Sequence, residues 1–186
     1  MDVWVNARGK VFANPDTGGR RFAGIAVDIT ERKHAEQARI ESERRLDVLL
    51  EAAPVGIAYA DTRGRLIRAN AAHRQIWGDY PEPDSMDTYR DWKGWWPAGT
   101  ARAGQPLQVR DWPLARVLLG EDLAAGVVEI EPFGGAGTRR TVLIRAAAIR
   151  DRDGAMLGAV AANMDITAQV EACLLYTSPS PRDVEE

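Results

Sequence analysis

Asp28-Ile29-Thr30-Glu31-Arg32-Lys33 ends an alternating, β-like run and opens a charged stretch that reaches Leu46-Asp47-Val48-Leu49-Leu50-Glu51-Ala52-Ala53. Pro54 stops it, because the prolyl ring clashes with a continuing helix. The head triplet returns as Asp165-Ile166-Thr167, 137 residues further on (165 − 28). The same shift lays Val5 on Val142, Arg8 on Arg145, Asp16 on Asp153 and Ala35 on Ala172 without a gap. Each copy reads as an alternating run, an Asp/Gly turn, a second apolar run and the triplet, which is a β-hairpin feeding a helix. The chain therefore carries two copies of one arrangement, joined by the charged stretch.

This divides the sequence. Residues 1–30 read as the closing hairpin of a first unit whose earlier parts are missing. That hairpin is expected to be the least stable part, since two strands alone are marginal in water. Residues 31–53 form a helical linker and 46–168 a complete second unit. Residues 169–186 start a helix and then turn to Cys173-Leu174-Leu175-Tyr176-Thr177-Ser178-Pro179-Ser180-Pro181. This end reads as a non-native or disordered tail, similar to translated adapter sequence, because Ser-Pro-Ser-Pro cannot continue a helix.

A hydrophobic content of 45% with 27% charged residues marks a globular chain rather than a disordered one. The net charge of −3 gives no footprint for nucleic acid. No apolar run approaches the roughly 20 residues needed to span a bilayer, and no signal peptide opens the chain. The single Cys173 excludes an internal disulfide and a cysteine-built metal site. The expectation is a soluble, cytoplasmic segment.

Within the complete unit, Val55–Ala60 and Arg65–Ala69 read as an antiparallel pair around the turn Asp61-Thr62-Arg63-Gly64. Asn70 suits the N-cap of a helix Ala71–Trp77, and Gly78 its C′ position. The Pro-, Gly- and Asp-rich stretch 80–108 is expected to hold loops with short helical turns. Asp111 caps a second helix, with Pro113 in its first turn and Gly120 ending it. Val127–Glu131, Arg140–Arg150 and Met156–Met164 complete the strands. The strand 140–150 places Val142, Ile144, Ala146 and Ala148 on one face. Leu143, Arg145, Ala147 and Ile149 lie on the other, which is apolar enough to need a cover.

Several stretches resemble the PAS fold with its C-terminal PAC motif. They are Leu49-Leu50-Glu51-Ala52-Ala53-Pro54-Val55-Gly56-Ile57, Asp61-Thr62-Arg63-Gly64, Arg68-Ala69-Asn70-Ala71, Trp112-Pro113-Leu114-Ala115-Arg116, Arg139-Arg140-Thr141-Val142 and Asp151 through Thr167. Gly24 through Lys33 resembles the end of a preceding unit. The resemblance implies an α+β fold: an antiparallel five-stranded sheet with short helices on one face, preceded by a long linker helix. It also implies the sensory part of a bacterial multi-PAS protein, most often a histidine kinase, with a pocket between sheet and helices. The fold alone does not fix what is sensed.

The residues argue against catalysis in this segment. His34-Ala35-Glu36 lacks the pattern of a phospho-accepting histidine, and His73 has no second ligand at metal spacing, which argues against haem and other metals. Flavin chemistry of the light-oxygen-voltage type needs a cysteine inside the fold, and Cys173 lies outside it. No nucleophile–base pair or phosphate-cradling loop is present. The cofactor remains open. The aromatic cluster is the sharper signal, and Tyr59, Asn70, Trp77, Trp92, Trp112 and Ile144 are the pocket candidates for a small ligand. Asp28, Thr30, Asp165 and Thr167 are candidates for a signal-relay junction, where each Asp caps the following helix.

In the linker, Ala35, Arg39, Ser42, Leu46, Leu49 and Ala53 follow a coiled-coil repeat, apolar at the ends and polar in the middle. A weak seam of this kind suits a homodimer whose helices change register on signalling. A downstream output domain in the same polypeptide is expected, a kinase first and a diguanylate cyclase as an alternative. The rival reading is a docking or dimerisation module without ligand.

Overall fold

The computed structural model describes residues 3–13, 16 and 18–177, with side chains up to Cys173. Asn14, Pro15 and Thr17 of the first turn, and the proposed tail from Ser178 on, lie outside the described residues. The chain divides into two compact units, up to Leu49 and from Leu50 on.

The first unit begins with a hairpin, β1 (Val5–Ala13) and β2 (Arg20–Asp28), paired antiparallel with Val5 opposite Asp28. Every described residue of both strands is exposed, among them Val5, Val11, Phe22 and Ile25. Helix α1 (Thr30–Ala52) follows, and none of its residues is buried. Its surface is laced by Lys33–Glu36, Arg39–Glu43 and Glu41–Arg45 pairs, each one turn apart. Exposed pairs of this kind contribute only about 0.3–0.5 kcal/mol each. The seam residues Leu46 and Leu49 are 57% and 62% exposed, so the helix presents apolar side chains that nothing in its own turn covers.

The second unit is a single antiparallel sheet in the order β4-β3-β8-β7-β6-β5. Its strands are β3 (Gly56–Asp61), β4 (Leu66–Ala69), β5 (Gly94–Trp95), β6 (Leu123–Ile130), β7 (Arg140–Arg150) and β8 (Met156–Asp165). Helices α2 (Ala71–Trp77) and α3 (Pro113–Leu118) and two short 3₁₀ turns, Met86–Asp91 and Val109–Asp111, lie between the strands. The expected five strands become six because Gly94–Trp95 pairs with Ile130 and Glu129. Two residues are too few to show a strand period.

The turn glycines adopt the conformations their positions require. Gly64 has φ +87° in the β3–β4 turn, and Gly78 has φ +77° just past α2, donating its N–H to the Arg74 carbonyl. Asp111 does not cap α3. It ends the preceding 3₁₀ turn, where its carboxylate accepts the Gln108 N–H at 2.8 Å and pairs with Arg102. Trp112 occupies the cap position instead, with Pro113 leading the helix. Strand β6 starts four residues earlier than the sequence suggests, at Leu123.

The inner face of the sheet makes the core. Val128, Ile130, Val142, Ile144, Ala146, Ala159 and Ala161 are buried against Ala115 and Val117 of α3 and Ile76 and Trp77 of α2. Each fully buried Val or Ile contributes about 1.5–3 kcal/mol by leaving water. The β7 faces divide as the alternation predicts, with Val142, Ile144 and Ala146 inward and Arg145 exposed. On the outer face Leu123 and Met164 are 61% and 44% exposed.

Helix α4 (Thr167–Thr177) follows β8. It runs five residues past Ala172, where the sequence reading placed its end. Cys173-Leu174-Leu175-Tyr176 contains nothing that breaks a helix, and the first true obstacle is Pro179.

Candidate functional site

The loop and helices between β4 and β6 place aromatic rings over the inner sheet face. Asn70 fixes the first of these helices. Its Oδ1 accepts the N–H groups of Ile57 (2.8 Å) and His73 (3.0 Å), and its Nδ2 donates to the carbonyls of Leu50 (2.8 Å) and Val55 (2.9 Å). One amide thus joins the end of α1, the entry to β3 and the start of α2. The Glu51 carboxylate adds an acceptor for the Ala71 N–H at 3.0 Å, favourable at a helix N-terminus.

From α2, His73 and Trp77 project toward the sheet. Trp77 Nε1 donates to Asn163 Oδ1 on β8 at 3.3 Å, and Asn163 Nδ2 donates to the Gly56 carbonyl on β3 at 3.2 Å. Asn163 is 2% exposed, so these bonds are what make its burial tolerable. His73 is equally buried, and its Nδ1 meets the Tyr80 hydroxyl at 3.0 Å. Burial, with Arg74 nearby, lowers the His73 pKa to about 4, so the ring is neutral at physiological pH. Burial likewise raises the Tyr80 and Tyr89 hydroxyls, and Tyr89 donates to the Gly64 carbonyl at 2.7 Å.

The rings form a continuous cluster. Trp92 lies 4.4 Å from Trp77, 4.9 Å from Tyr80, 5.5 Å from Phe133 and 6.1 Å from His73, while Trp77 meets Trp112 edge-on at 5.7 Å. Beneath them lies a cavity of about 50 Å³, bounded by Ala58, Ile144, Ala161 and Asn163 of the sheet and by His73, Trp77, Tyr89, Trp92, Trp112 and Leu114 above.

A sheet of this order with its helices gathered over one face, closed by a hairpin and a strand-to-helix junction, is the arrangement that the PAS resemblance implies. The sequence profile of the PAS fold matches residues 50–171. The chain belongs to the PAS-fold family. Its PAS unit is of a kind used for sensing and signalling.

An 81-residue stretch is 31% identical to the non-motile and phage-resistance protein of Caulobacter vibrioides, covering 43% of this chain and 10% of that protein. The chain thus spans about a tenth of that curated relative's length. Among solved structures, the fold is similar to an RNA-binding light-oxygen-voltage receptor (TM-score 0.52, 17% identity, 72% of this chain and 38% of that one). It is also similar to the PAS domain of BvgS from Bordetella pertussis (TM-score 0.48, 20% identity, 76% of this chain and 97% of that one).

The PAS cavity gathers Trp77, Trp92, Trp112 and Ile144 from the sequence candidates. Tyr59 lies elsewhere. Strand alternation turns Ala58 and Ala60 inward and Tyr59 outward, where its hydroxyl donates to the Leu157 carbonyl at 3.3 Å. Asn70 does not line the cavity either, because the cap and the Leu50 and Val55 carbonyls occupy its amide. The polar lining residues His73, Tyr89 and Asn163 stand outside the sequence candidates, as do the apolar Ala58, Leu66, Pro113, Leu114 and Ala161. For Asn163 a signal existed: it shares the inward parity of Ala159 and Ala161 on β8.

At the foot of β8, Asp165 Oδ1 accepts the N–H (3.0 Å) and hydroxyl (2.6 Å) of Thr167. Thr167 Oγ1 accepts the Thr141 N–H at 2.9 Å, and the Ile166 N–H returns to the Thr141 carbonyl at 2.8 Å. The start of α4 is thereby bolted to the start of β7. The first unit repeats the bolt, with Asp28 accepting from the Thr30 N–H (2.9 Å), Thr30 from the Trp4 N–H (2.9 Å), and Ile29 donating to Trp4 (2.9 Å). Hydrogen bonds from Thr30 hold the Asp28 carboxyl below its usual pKa. Arg140, also missed, donates to the Gln75 (2.6 Å) and Ile76 (3.2 Å) carbonyls at the end of α2 and lies 3.9 Å from Asp165. No group of three or more candidate metal ligands occurs among the described residues.

Proposed function

We propose that the unit from Leu50 on senses a small ligand or another cue in its cavity and relays it through α4, with α1 as the other flanking helix. One observation carries this reading: Asn163, in the cavity wall, stands two residues before Asp165, which opens α4. Asn163 holds Trp77, whose helix α2 is tied through its last carbonyls to Arg140 and so to Asp165. A change in how the rings pack would reach the junction by both routes. The relay is conformational, and no chemical step by this segment is part of the proposal. The flanking helix α1 would form a homodimer, since Leu46 and Leu49 are exposed on its seam. The output domain in the same polypeptide would be a histidine kinase by the PAS resemblance, with a diguanylate cyclase as the alternative, and the protein would work in the cytoplasm.

The competing reading, docking without a ligand, draws support from the cavity's size. Ligand pockets commonly measure about 300–1,000 Å³.

Filling the cavity in place of a ligand tests the relay. Ala161→Leu should change amide exchange in α4, residues 168–173, at least fivefold while leaving β6 unchanged. In an Arg140→Gln background that change should shrink. If α4 exchanges at the same rate with and without the added side chain, the relay reading fails and docking is favoured.

A further inference from the structure

The cavity's chemistry narrows what it can accept, given the sensing reading above. Its lining includes Ala58, Leu66, Trp112, Pro113, Ile144 and Ala161 and contains no charged side chain. A carboxylate, phosphate or ammonium group brought here would lose its water without gaining a counter-charge, at a cost of several kcal/mol or more. His73 and Asn163 bring polar groups to one side. Asn163 has already used its oxygen on Trp77 and one N–H on Gly56, and the His73 ring is hydrogen-bonded through Nδ1 to Tyr80. That leaves about one hydrogen bond for a guest on this side. The remaining walls are the rings of Trp77, Tyr89, Trp92 and Trp112, already set edge-to-face, a geometry into which another ring fits by the same quadrupole preference.

Size sets the second limit. About 50 Å³ is a third of the ~150 Å³ cavity that admits benzene in a well-packed protein core. Trp92 is the aromatic ring of the lining that is only half-buried, and it joins the 3₁₀ turn Met86–Asp91 to β5. Its displacement would supply the missing room.

We infer that this cavity takes a small, uncharged, single-ring aromatic molecule, held by one hydrogen bond on the His73–Asn163 side, with Trp92 swinging aside to admit it. The neutrality of His73 above pH 5 agrees, since no cation is present to attract an anion.

The test titrates the 186-residue protein with phenol, cyclohexanol and benzoate, reading Tm and the tryptophan indole N–H signals by NMR. Phenol should shift the Trp77, Trp92 and Trp112 signals and raise Tm by about 4 °C at ten times its Kd. Cyclohexanol should bind at least tenfold more weakly, and benzoate should leave the three signals in place. Trp92→Ala should bind phenol at least tenfold more tightly. Ala161→Leu should abolish binding, as should Leu114→Phe, a milder filling change should the first not fold. Benzoate or cyclohexanol binding as well as phenol at these tryptophans overturns the ligand class and leaves the sensing reading standing. If no probe moves these signals even in Trp92→Ala, the inference is overturned, while the relay is still judged by exchange in α4.

Discussion

The hairpins β1–β2 and β7–β8 share their register over eight residue pairs, from Val5 and Val142 to Phe12 and Ile149, and end in the same bolt, yet one is bare and the other buried. Val5 faces Asp28 as Val142 faces Asp165, and Trp4–Thr30 repeats Thr141–Thr167 at the same 137-residue shift. The faces above the bolts differ. Ala7, Gly9, Phe22, Gly24 and Ala26 stand where the second copy has Ile144, Ala146, Ala159, Ala161 and Asn163. The junction is a local device that three residues encode wherever a hairpin precedes them. Burial, the cavity and the polar link through Asn163 come from the rest of the fold, described only around the second copy.

Breaking the support of the packed copy should separate the two most widely. Asn70→Ala removes four hydrogen bonds from a buried side chain and should cost about 3 kcal/mol, lowering the Tm of the Leu50-on unit by roughly 10 °C. Exchange within β1–β2 should not change, and a loss there would mean that the hairpin depends on the same clasp.

Between pH 7 and 4 a histidine step should appear in the packed copy alone. His73 titrates near 6.5 when unfolded and near 4 when folded. As pH falls below 6.5 the unfolded chain gains a proton that the folded one refuses. Stability present above pH 6.5 is therefore lost down to about pH 4, by about 3 kcal/mol. Denaturant titrations of the wild type against His73→Gln, from pH 7 to 4, should show the difference shrinking toward zero as pH falls. The hairpin Val5–Asp28 contains no histidine and should show no such step.

A paired substitution sharpens the contrast further. Asn163→Ala leaves the Trp77 Nε1 without its partner, takes one donor from the Gly56 carbonyl and should cost about 2 kcal/mol in chemical unfolding. Ala26→Asn, at the matching position of the bare hairpin, should change stability by less than about 0.5 kcal/mol. At the bolts the copies should converge. Thr167→Val and Thr30→Val each remove an acceptor for a strand N–H, at about 1 kcal/mol, and exchange at Thr141 and Trp4 should rise by similar factors of about five.

Much of this was legible in the sequence because its cues are local. Asn70 before an apolar helix, Gly78 after it and the Asp-Ile-Thr junctions each act within a few residues. The repeat showed that both hairpins share one arrangement. What escaped depends on contacts between distant residues or on which of two apolar faces turns inward. Tyr59 looked like a pocket residue because it is large, but the small Ala58 and Ala60 face inward and leave room for the cavity. Arg140 and Asn163 acquire their roles only when α2 comes to lie against β7 and β8. Strand β5 was missed because two residues carry no period.

The most direct test is residue-resolved amide exchange on the dilute 186-residue protein. Amides of Val142–Ile149 and Ala159–Asn163 should exchange only through global unfolding. Those of Val5–Ala13 and Phe22–Val27 should exchange about a thousandfold faster or more, despite their shared register. Comparable protection in both hairpins would show that the first has a core of its own, and would contradict the account.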